Sequence, residues 1–379
     1  MDFKLSKEQR DIVKAARKFA QGELAERAVE FDRTETFDLD LWRKACDMGF
    51  VGVYIDEAYG GAGMGYLEHA LITEEFWAVD PGMGLAIIAS GFGAELLLLH
   101  ASESQKQAIL PDIVSGRAYL CTGITEPDAG SDTAGATTRA VKEGDQWVIN
   151  GNKMFITNGT VARHILVYCV TDPDASRHDR FSFILVPTDN EGFTAKKITG
   201  KMGIRASDTA EITLRNVRVP LENLIGNQGR GFYQLMDFLN HSRVQVCAQA
   251  VGLARAALEE SVRYAKQRRL FGQSLADFQA TQLKIADMAT WVRAARNLTW
   301  EAACCLDEGK PDHALVAMAK WFSADVAVKC ADHALQIHGG YGYIDEYKVN
   351  RLYRDAKILD IYEGAREVEK TIIAKTYLQ

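Results

Sequence analysis

The sequence predicts an α+β chain in three parts: a mostly helical first third, a small all-β middle and a helical final third. Three observations carry this. Apolar residues recur at helical spacing through the first hundred or so residues. Near Leu120 the pattern changes to short apolar runs separated by turn residues, and it keeps that form to about Pro220. No proline then occurs between Leu221 and Lys310, nor after Asp312, and the stretches between carry long apolar stripes. At 379 residues the chain is long for one core, so two or three substructures are expected.

The elements follow in order. Ser6-Lys-Glu-Gln9 reads as a capping box, and Ile12, Ala16, Phe19 and Ala20 lie on one face of the helix it starts. Residues 39–48 give another helical stretch, and 49–65 is a glycine-studded turn region. Residues 66–79 and 83–100 read as apolar helices, and 102–109 closes the segment ahead of Pro111. Residues 146–157 hold two apolar runs around Asn150-Gly151, a hairpin signal. Further short strands are expected at 164–170, 181–186 and 211–214. Residues 232–240, 244–269, 278–306 and 313–337 read as long helices with short connections, the pattern of an antiparallel bundle. The expected domains are 1–118, 119–228 and 229–379.

Apolar content of 47% and charge of 25% belong to an ordinary soluble globular protein. A net charge of −7 and a pI near 5.7 argue against nucleic acid or an anionic membrane as the main partner. Seven scattered cysteines with no CxxC pair point to free thiols in a reducing compartment. Cys304-Cys305 is a poor metal pair and the eight histidines show no HxxxH or HExxH spacing, so no metal is expected. Met1–Lys7 has neither the apolar core of a signal peptide nor a transit-peptide pattern. The apolar runs at 85–88 and 96–99 are too short to span a bilayer. A cytoplasmic location is expected, or a mitochondrial matrix one for a mature eukaryotic chain.

Two segments near the C-terminus stand out. In 351–370, Leu352, Ala356, Leu359 and Tyr362 keep helical spacing, Gly364 interrupts it, and a second helical run starts at Glu367. Glu363 therefore falls in a tight joint between two helices, beside Tyr362. A carboxylate held there among apolar neighbours is a tuned base or an ordinary solvated helix-end glutamate. Upstream, Gln336-Ile-His-Gly-Gly-Tyr-Gly-Tyr343 packs three glycines into four residues, which lets another group approach the backbone. Together the segments resemble the C-terminal signature of the acyl-CoA dehydrogenases: Gln-Ile-x-Gly-Gly-x-Gly, Arg-Asp-Ala-Lys-Ile, then Ile-Tyr-Glu-Gly. The α–β–α order of the thirds matches that family over essentially the whole chain.

The resemblance implies a helical N-terminal domain, a middle β-barrel and a C-terminal four-helix bundle, with FAD as cofactor. It makes Glu363 the catalytic base, with Tyr362 and Gly364 beside the substrate. Thr125-Glu-Pro-Asp-Ala-Gly-Ser-Asp132, by composition only a turn, resembles the family's flavin loop, so Thr125 would contact the isoalloxazine pyrimidine edge and Ser131 a diphosphate oxygen. Phe155 would lie against the flavin and Thr157 near its N5, although many members carry Trp at the first position and Phe155 could equally be core. Arg268-Arg-Leu-Phe-Gly272 could be no more than a favourable charge at a helix end. In the family this motif reaches across a subunit interface. Arg268 would then pair with the neighbour's FAD diphosphate, Phe271 and Gln279 would line the adenosine part, and Gln336, Gly339 and Gly340 would complete the site. Arginine suits a phosphate because its planar fork makes two hydrogen bonds at once. A homo-oligomer, a tetramer, follows from this.

Arg243 aligns with an arginine that contacts the CoA moiety. Ser242 occupies the place where some branched- and long-chain members keep their base, and serine cannot serve, so Glu363 has no competitor there. No GxGxxG fingerprint occurs, which argues against a nicotinamide enzyme. The implied reaction is oxidation of an acyl-CoA to its 2,3-enoyl-CoA, with an electron-transfer flavoprotein as acceptor. The alternatives are an acyl-CoA oxidase and a non-catalytic interaction subunit. No Lys or Arg occurs from Pro81 to Glu95, where the family lines its acyl pocket, so a dicarboxylic acyl group is not expected. Gly84, Gly91 and Gly93 leave room for a short straight, branched or ring acyl group. Arg366, three residues beyond Glu363, would approach the base, reach a phosphate or face solvent.

Overall fold

The computed structural model describes residues 4–378; Met1 to Phe3, read above for a leader, and Gln379 lie outside the described residues. Helices α1 (Lys7–Phe19), α2 (Ala28–Thr34), α3 (Leu39–Asp47), α4 (Tyr66–Val79), α5 (Pro81–Ile88), α6 (Ala94–His100) and α7 (Glu103–Val114) make up the first part. The capping box is present: Gln9 N donates to Ser6 Oγ at 3.1 Å, and Ser6 N donates to Gln9 Oε1 at 2.8 Å. The single helix expected over 83–100 is two. Asp80 caps α5 by accepting from Met83 N at 2.9 Å, and the chain then bends at Gly93, whose φ is +114°. A Cβ at Gly93 would lie 2.3 Å from Thr122 Oγ1, so the elbow can press against the first strand only because the residue is glycine. α7 does not stop at Pro111 but runs to Val114. Burial of Ile109, Leu110 and Ile113 outweighs the hydrogen bond that proline removes.

The middle part holds eight strands: β1 (Tyr119–Gly123), β2 (Arg139–Glu143), β3 (Gln146–Thr157), β4 (Ala162–Val170), β5 (Phe181–Pro187), β6 (Phe193–Lys197), β7 (Thr209–Pro220) and β8 (Leu224–Ile225). They form one sheet whose path runs β6-β7-β3-β2-β4-β5-β8, with β1 added in parallel to β4. The Asn150-Gly151 hairpin expected from sequence is not there. The turn is at Gly144-Asp145, with Glu143 opposite Gln146, and β3 passes straight through Asn150 with a register slip between Ile149 and Gly151. Asn150 Oδ1 accepts from Asn216 N at 2.8 Å, so the turn-forming side chain serves a bulge instead.

The last part is helical: α8 (Gly231–Gln267), α9 (Gln279–Asp307), α10 (His313–His338), α11 (Lys348–Ala356) and α12 (Arg366–Leu378). The two helices expected over 232–269 are one helix of 37 residues. The polar His241-Ser242-Arg243 triplet broke the apolar pattern, but Ser242 and Arg243 are buried and bonded, so the helix continues. α8, α9 and α10 enclose a core of Val251, Leu253, Met288, Val292, Val326 and Cys330. A separate core runs without a break from the N-terminal helices into the sheet. Buried ion pairs tie α4 to the long helices: Arg255 reaches Glu74 at 3.0 Å and Glu75 at 2.9 Å, and Arg296 reaches Glu74 at 2.8 Å.

The loop leaving β1 is anchored by a fully buried lysine. Lys153 Nζ donates to Glu126 Oε1 at 2.8 Å, to Tyr168 O at 2.6 Å and to Ile124 O at 3.1 Å. Glu126 also accepts from the backbone N–H groups of Thr137 (2.7 Å) and Thr138 (3.0 Å). Lys153→Met would strand Glu126 as an uncompensated buried charge. Urea unfolding should report a loss of about 3–5 kcal/mol, and an unchanged midpoint would show the pair to be dispensable.

Candidate active site

Glu363 lies in the joint between the turn that ends α11 and the start of α12, with its own φ at +57° and that of Gly364 at +110°. A left-handed glutamate followed by a left-handed glycine is a strained corner that surrounding contacts must hold. Three side chains hold it. Ser242 Oγ donates to Glu363 Oε2 at 2.6 Å. Arg243 Nε donates to Glu363 O at 2.8 Å, and its Nη2 lies 3.1 Å from the buried Glu369 carboxylate. Lys320 Nζ donates to Leu359 O at 2.9 Å and to Gly364 O at 2.5 Å. A Cβ at Gly364 would lie 2.0 Å from Glu369 Oε1, so only glycine fits.

These contacts satisfy the carbonyls of the joint and leave its donor open. Among the described residues no acceptor takes the Glu363 N–H. Burial pushes the Glu363 carboxyl above the usual carboxylate range, against the opposing pull of the Ser242 hydroxyl, Arg243 and Lys320. Burial likewise pushes the Lys320 ammonium down to about 8, with Glu369 acting against it.

Ser242 and Lys320 are what sequence reasoning missed. The sequence marks Ser242 only as unable to be a base; in the structure it is the hydrogen-bond donor to the Glu363 carboxylate. Lys320 is a lone cation among Val316, Ala317, Ala319, Ala324 and Ala327, and that isolation on an apolar helix was the available signal. Arg243, expected at the CoA moiety, is buried, and its guanidinium engages Glu363 O and Glu369. The Tyr362 hydroxyl donates to Gln249 Oε1 at 2.5 Å. Arg366 turns to acids rather than to the Glu363 carboxylate: partly exposed, it pairs with Asp360 at 2.8 Å and Asp325 at 3.3 Å.

The expected flavin residues form two groups in one chain. Thr125 is fixed to β3 through its carbonyl, which accepts from Met154 N at 2.9 Å. Phe155 is not core: it is 63% exposed at φ +61°, where β3 bulges opposite β7 between Lys153 and Ile156, and Thr157 follows it half-buried. Ser131 is exposed on the loop anchored by Glu126. Of the second group, Arg268, Gln336, Gly339 and Gly340 line a cleft of about 590 Å³ that also includes Lys284 and no acidic residue, and Phe271 and Gln279 lie outside its lining. Arg268 lies over the Tyr341 ring at 5.6 Å and has no acidic partner among the described residues. Phe271, at φ +50°, is 94% exposed, and Gln279 is exposed at the start of α9.

Comparison with known proteins decides the family. Models of the acyl-CoA dehydrogenase N-terminal, middle and C-terminal domains match residues 6–117, 121–217 and 229–378. The chain belongs to the acyl-CoA dehydrogenase family. It is similar to a probable acyl-CoA dehydrogenase of Bacillus subtilis, 40% identical over the full length of both chains. The solved butyryl-CoA dehydrogenase of Megasphaera elsdenii matches at a TM-score of 0.96, with 39% identity over all of both chains. A chain from the structure of the electron transferring flavoprotein of Acidaminococcus fermentans matches at 0.97, again with 39% identity and full coverage of both. These likenesses do not favour the oxidase or the non-catalytic subunit. The protein is an FAD-dependent acyl-CoA dehydrogenase. Its residues fit that cofactor, since an acid-free cleft with two cations suits a diphosphate and exposed aromatics suit flat rings. Among the described residues no helix is long and apolar enough to cross a membrane.

The geometry around Glu363 sets the sign of a pH effect. Ser242→Ala removes a hydrogen bond that favours the carboxylate, so the carboxyl should rise further and the acid limb of kcat/KM should move to higher pH. Arg366→Ser should leave that limb in place. Stopped-flow flavin reduction across pH checks both.

Proposed function

We propose that this chain converts a short or medium, branched or alicyclic acyl-CoA to its 2,3-enoyl-CoA, with Glu363 as the base. The observation that carries the reading is the joint itself: a carboxylate of raised basicity next to an unpaired backbone N–H, both held by Ser242, Arg243 and Lys320. A free carboxylate is too weak to take a thioester α-proton readily. Burial strengthens Glu363, and its own N–H is free to donate to the thioester carbonyl, stabilising the negative charge that develops there. Bound FAD supplies the acceptor for the β-hydride.

Thr125, Ser131, Phe155 and Thr157 would hold the flavin end of that cofactor. Arg268, Phe271, Gln279, Gln336, Gly339 and Gly340 would hold its diphosphate and adenosine, donated to a neighbouring copy in a homotetramer. Tyr362 and Gly364 would border the acyl thioester. The acyl wall of α5 is apolar, with Met83, Leu85, Ala86, Ile87 and Ile88 all buried, and no basic residue occurs between Pro81 and Glu95. A monocarboxylic acyl group suits it. An electron-transfer flavoprotein is the proposed oxidant of the reduced enzyme.

Glu363→Gln is the test. The amide still accepts from Ser242 but cannot take a proton, so acyl-CoA should bind and fail to bleach the flavin, with a rate loss of at least about 10²–10⁴. Bleaching at the wild-type rate would remove Glu363 as the base. The same variant should be more stable at neutral pH. A carboxyl raised in the folded state contributes stability below its ordinary unfolded value, and that stability is lost as pH rises through the folded value. The neutral amide escapes the loss, so its melting temperature should exceed wild type at pH 7 and converge with it near pH 4.

A further inference from the structure

Glu95, the second residue of α6, is a buried acid that the mechanism above does not use. It is 2% exposed, and its Oε2 has no hydrogen-bond partner among the described residues. The groups that reach the carboxyl are its own N–H, the Gly93 N–H and the Tyr54 hydroxyl. Tyr54 stacks on Tyr66 with centroids 5.1 Å apart and planes 20° apart. The Tyr66 ring lies 5.5 Å from the ring of His241, the residue before Ser242 on α8. Ser242 in turn holds the Glu363 carboxylate. The Glu95 and Glu363 charges act on one another, which sets the second acid near the first. Apart from Ser90 and Glu95 itself, residues 81–99 are apolar, and an unsatisfied carboxyl oxygen in such a wall is costly unless a ligand takes it.

Resting on the reading that an acyl-CoA binds beside Glu363, we infer that Glu95, backed by Tyr54, is a specificity-determining residue that bonds a hydroxyl on the acyl group. A hydroxyl fits better than a charged substituent. Burial pushes the Glu95 carboxyl up to about 7, with the backbone N–H groups and Tyr54 opposing, so near neutrality it is a carboxylate part of the time and an acid the rest. A hydroxyl both donates and accepts and suits either form; an acyl carboxylate would meet a like charge. The stacked Tyr54–Tyr66 pair beside it gives the substituted end of the acyl group a flat apolar wall.

The experiment uses holoenzyme and three matched pairs: butanoyl- and 4-hydroxybutanoyl-CoA, hexanoyl- and 6-hydroxyhexanoyl-CoA, and cyclohexanecarboxyl- and 4-hydroxycyclohexanecarboxyl-CoA. The quantity read is the ratio of kcat/KM, hydroxylated over plain, from anaerobic flavin bleaching. In at least one pair the wild-type ratio should exceed that of Glu95→Leu by about 10- to 100-fold, with Glu95→Gln between them because its amide still accepts. Dissociation constants for the same pairs, measured on Glu363→Gln enzyme with and without Glu95→Leu, read the contact apart from the chemistry and should show the same change. Equal ratios in wild type and both Glu95 variants for every pair, with plain acyl-CoAs still oxidised, would overturn the inference and leave Glu95 bonded to buried water. If Glu95→Leu loses its flavin, the wild-type and Glu95→Gln ratios decide in the same way. Failure of every acyl-CoA to bleach the wild type would instead defeat the proposed reaction, and the binding ratios would still decide for Glu95.

Discussion

Everything the active site can do depends on two buried cations gripping one strained corner. Glu363 and Gly364 both adopt left-handed backbone conformations, which nothing local to the sequence favours for a glutamate. Arg243 and Lys320 make the corner stable by taking the carbonyls of Leu359, Glu363 and Gly364, groups that would otherwise be buried without donors. Because α8 delivers Arg243 and α10 delivers Lys320, the corner exists only once these helices have packed. Strain of about 1–3 kcal/mol is thus held by long-range contacts, and its product is a carboxylate and a free N–H on one residue.

The charges around the corner come in balance. Arg243 and Lys320 face Glu363 and Glu369, so the cluster can be buried without a large net charge. Burial and pairing then pull the Glu363 carboxyl in opposite directions. Burial wins, which leaves a more basic carboxylate than that of a surface glutamate, and the cations limit how far it rises. A single hydroxyl, that of Ser242, fine-tunes the outcome from one side.

How much of this was legible follows from where the information lies. α4 was readable to the residue because its apolar run and the Gly65 and Pro81 that bound it are local signals, although Asp307, far along the chain, accepts from its first two N–H groups. The elbow between α5 and α6 was not, since Gly91 and Gly93 break the helix only in combination with β1 pressing on them. Asn150-Gly151 carried a true turn signal that a neighbouring strand turned into a bulge. Glu363 and Gly364 were visible as a joint, and the motifs around them pointed to the family. Ser242 and Lys320 were not visible as site residues, because they meet Glu363 and Gly364 across 121 and 44 positions of chain. The reach of Arg366 was open in sequence; Asp325, on another helix, closes it.

One group of exposed apolar side chains gathers around the cleft that holds Arg268. Leu270, Phe271, Tyr341, Tyr343 and Ile344 are between 37% and 94% exposed, all near Arg268 or along the glycine segment after α10. Phe271 adds backbone strain to that exposure. Large side chains left in water beside an unpaired cation are unfavourable for a lone protomer, and a patch of this kind marks a surface meant to be covered. FAD can cover the cation and the rings nearest it, but a cofactor bound only by this rim would stay open on its outer side. The proposed neighbouring copy would close that side, and cofactor retention and assembly would then be one equilibrium, in which each copy lent its rim to the flavin of the next and loss of either loosened both.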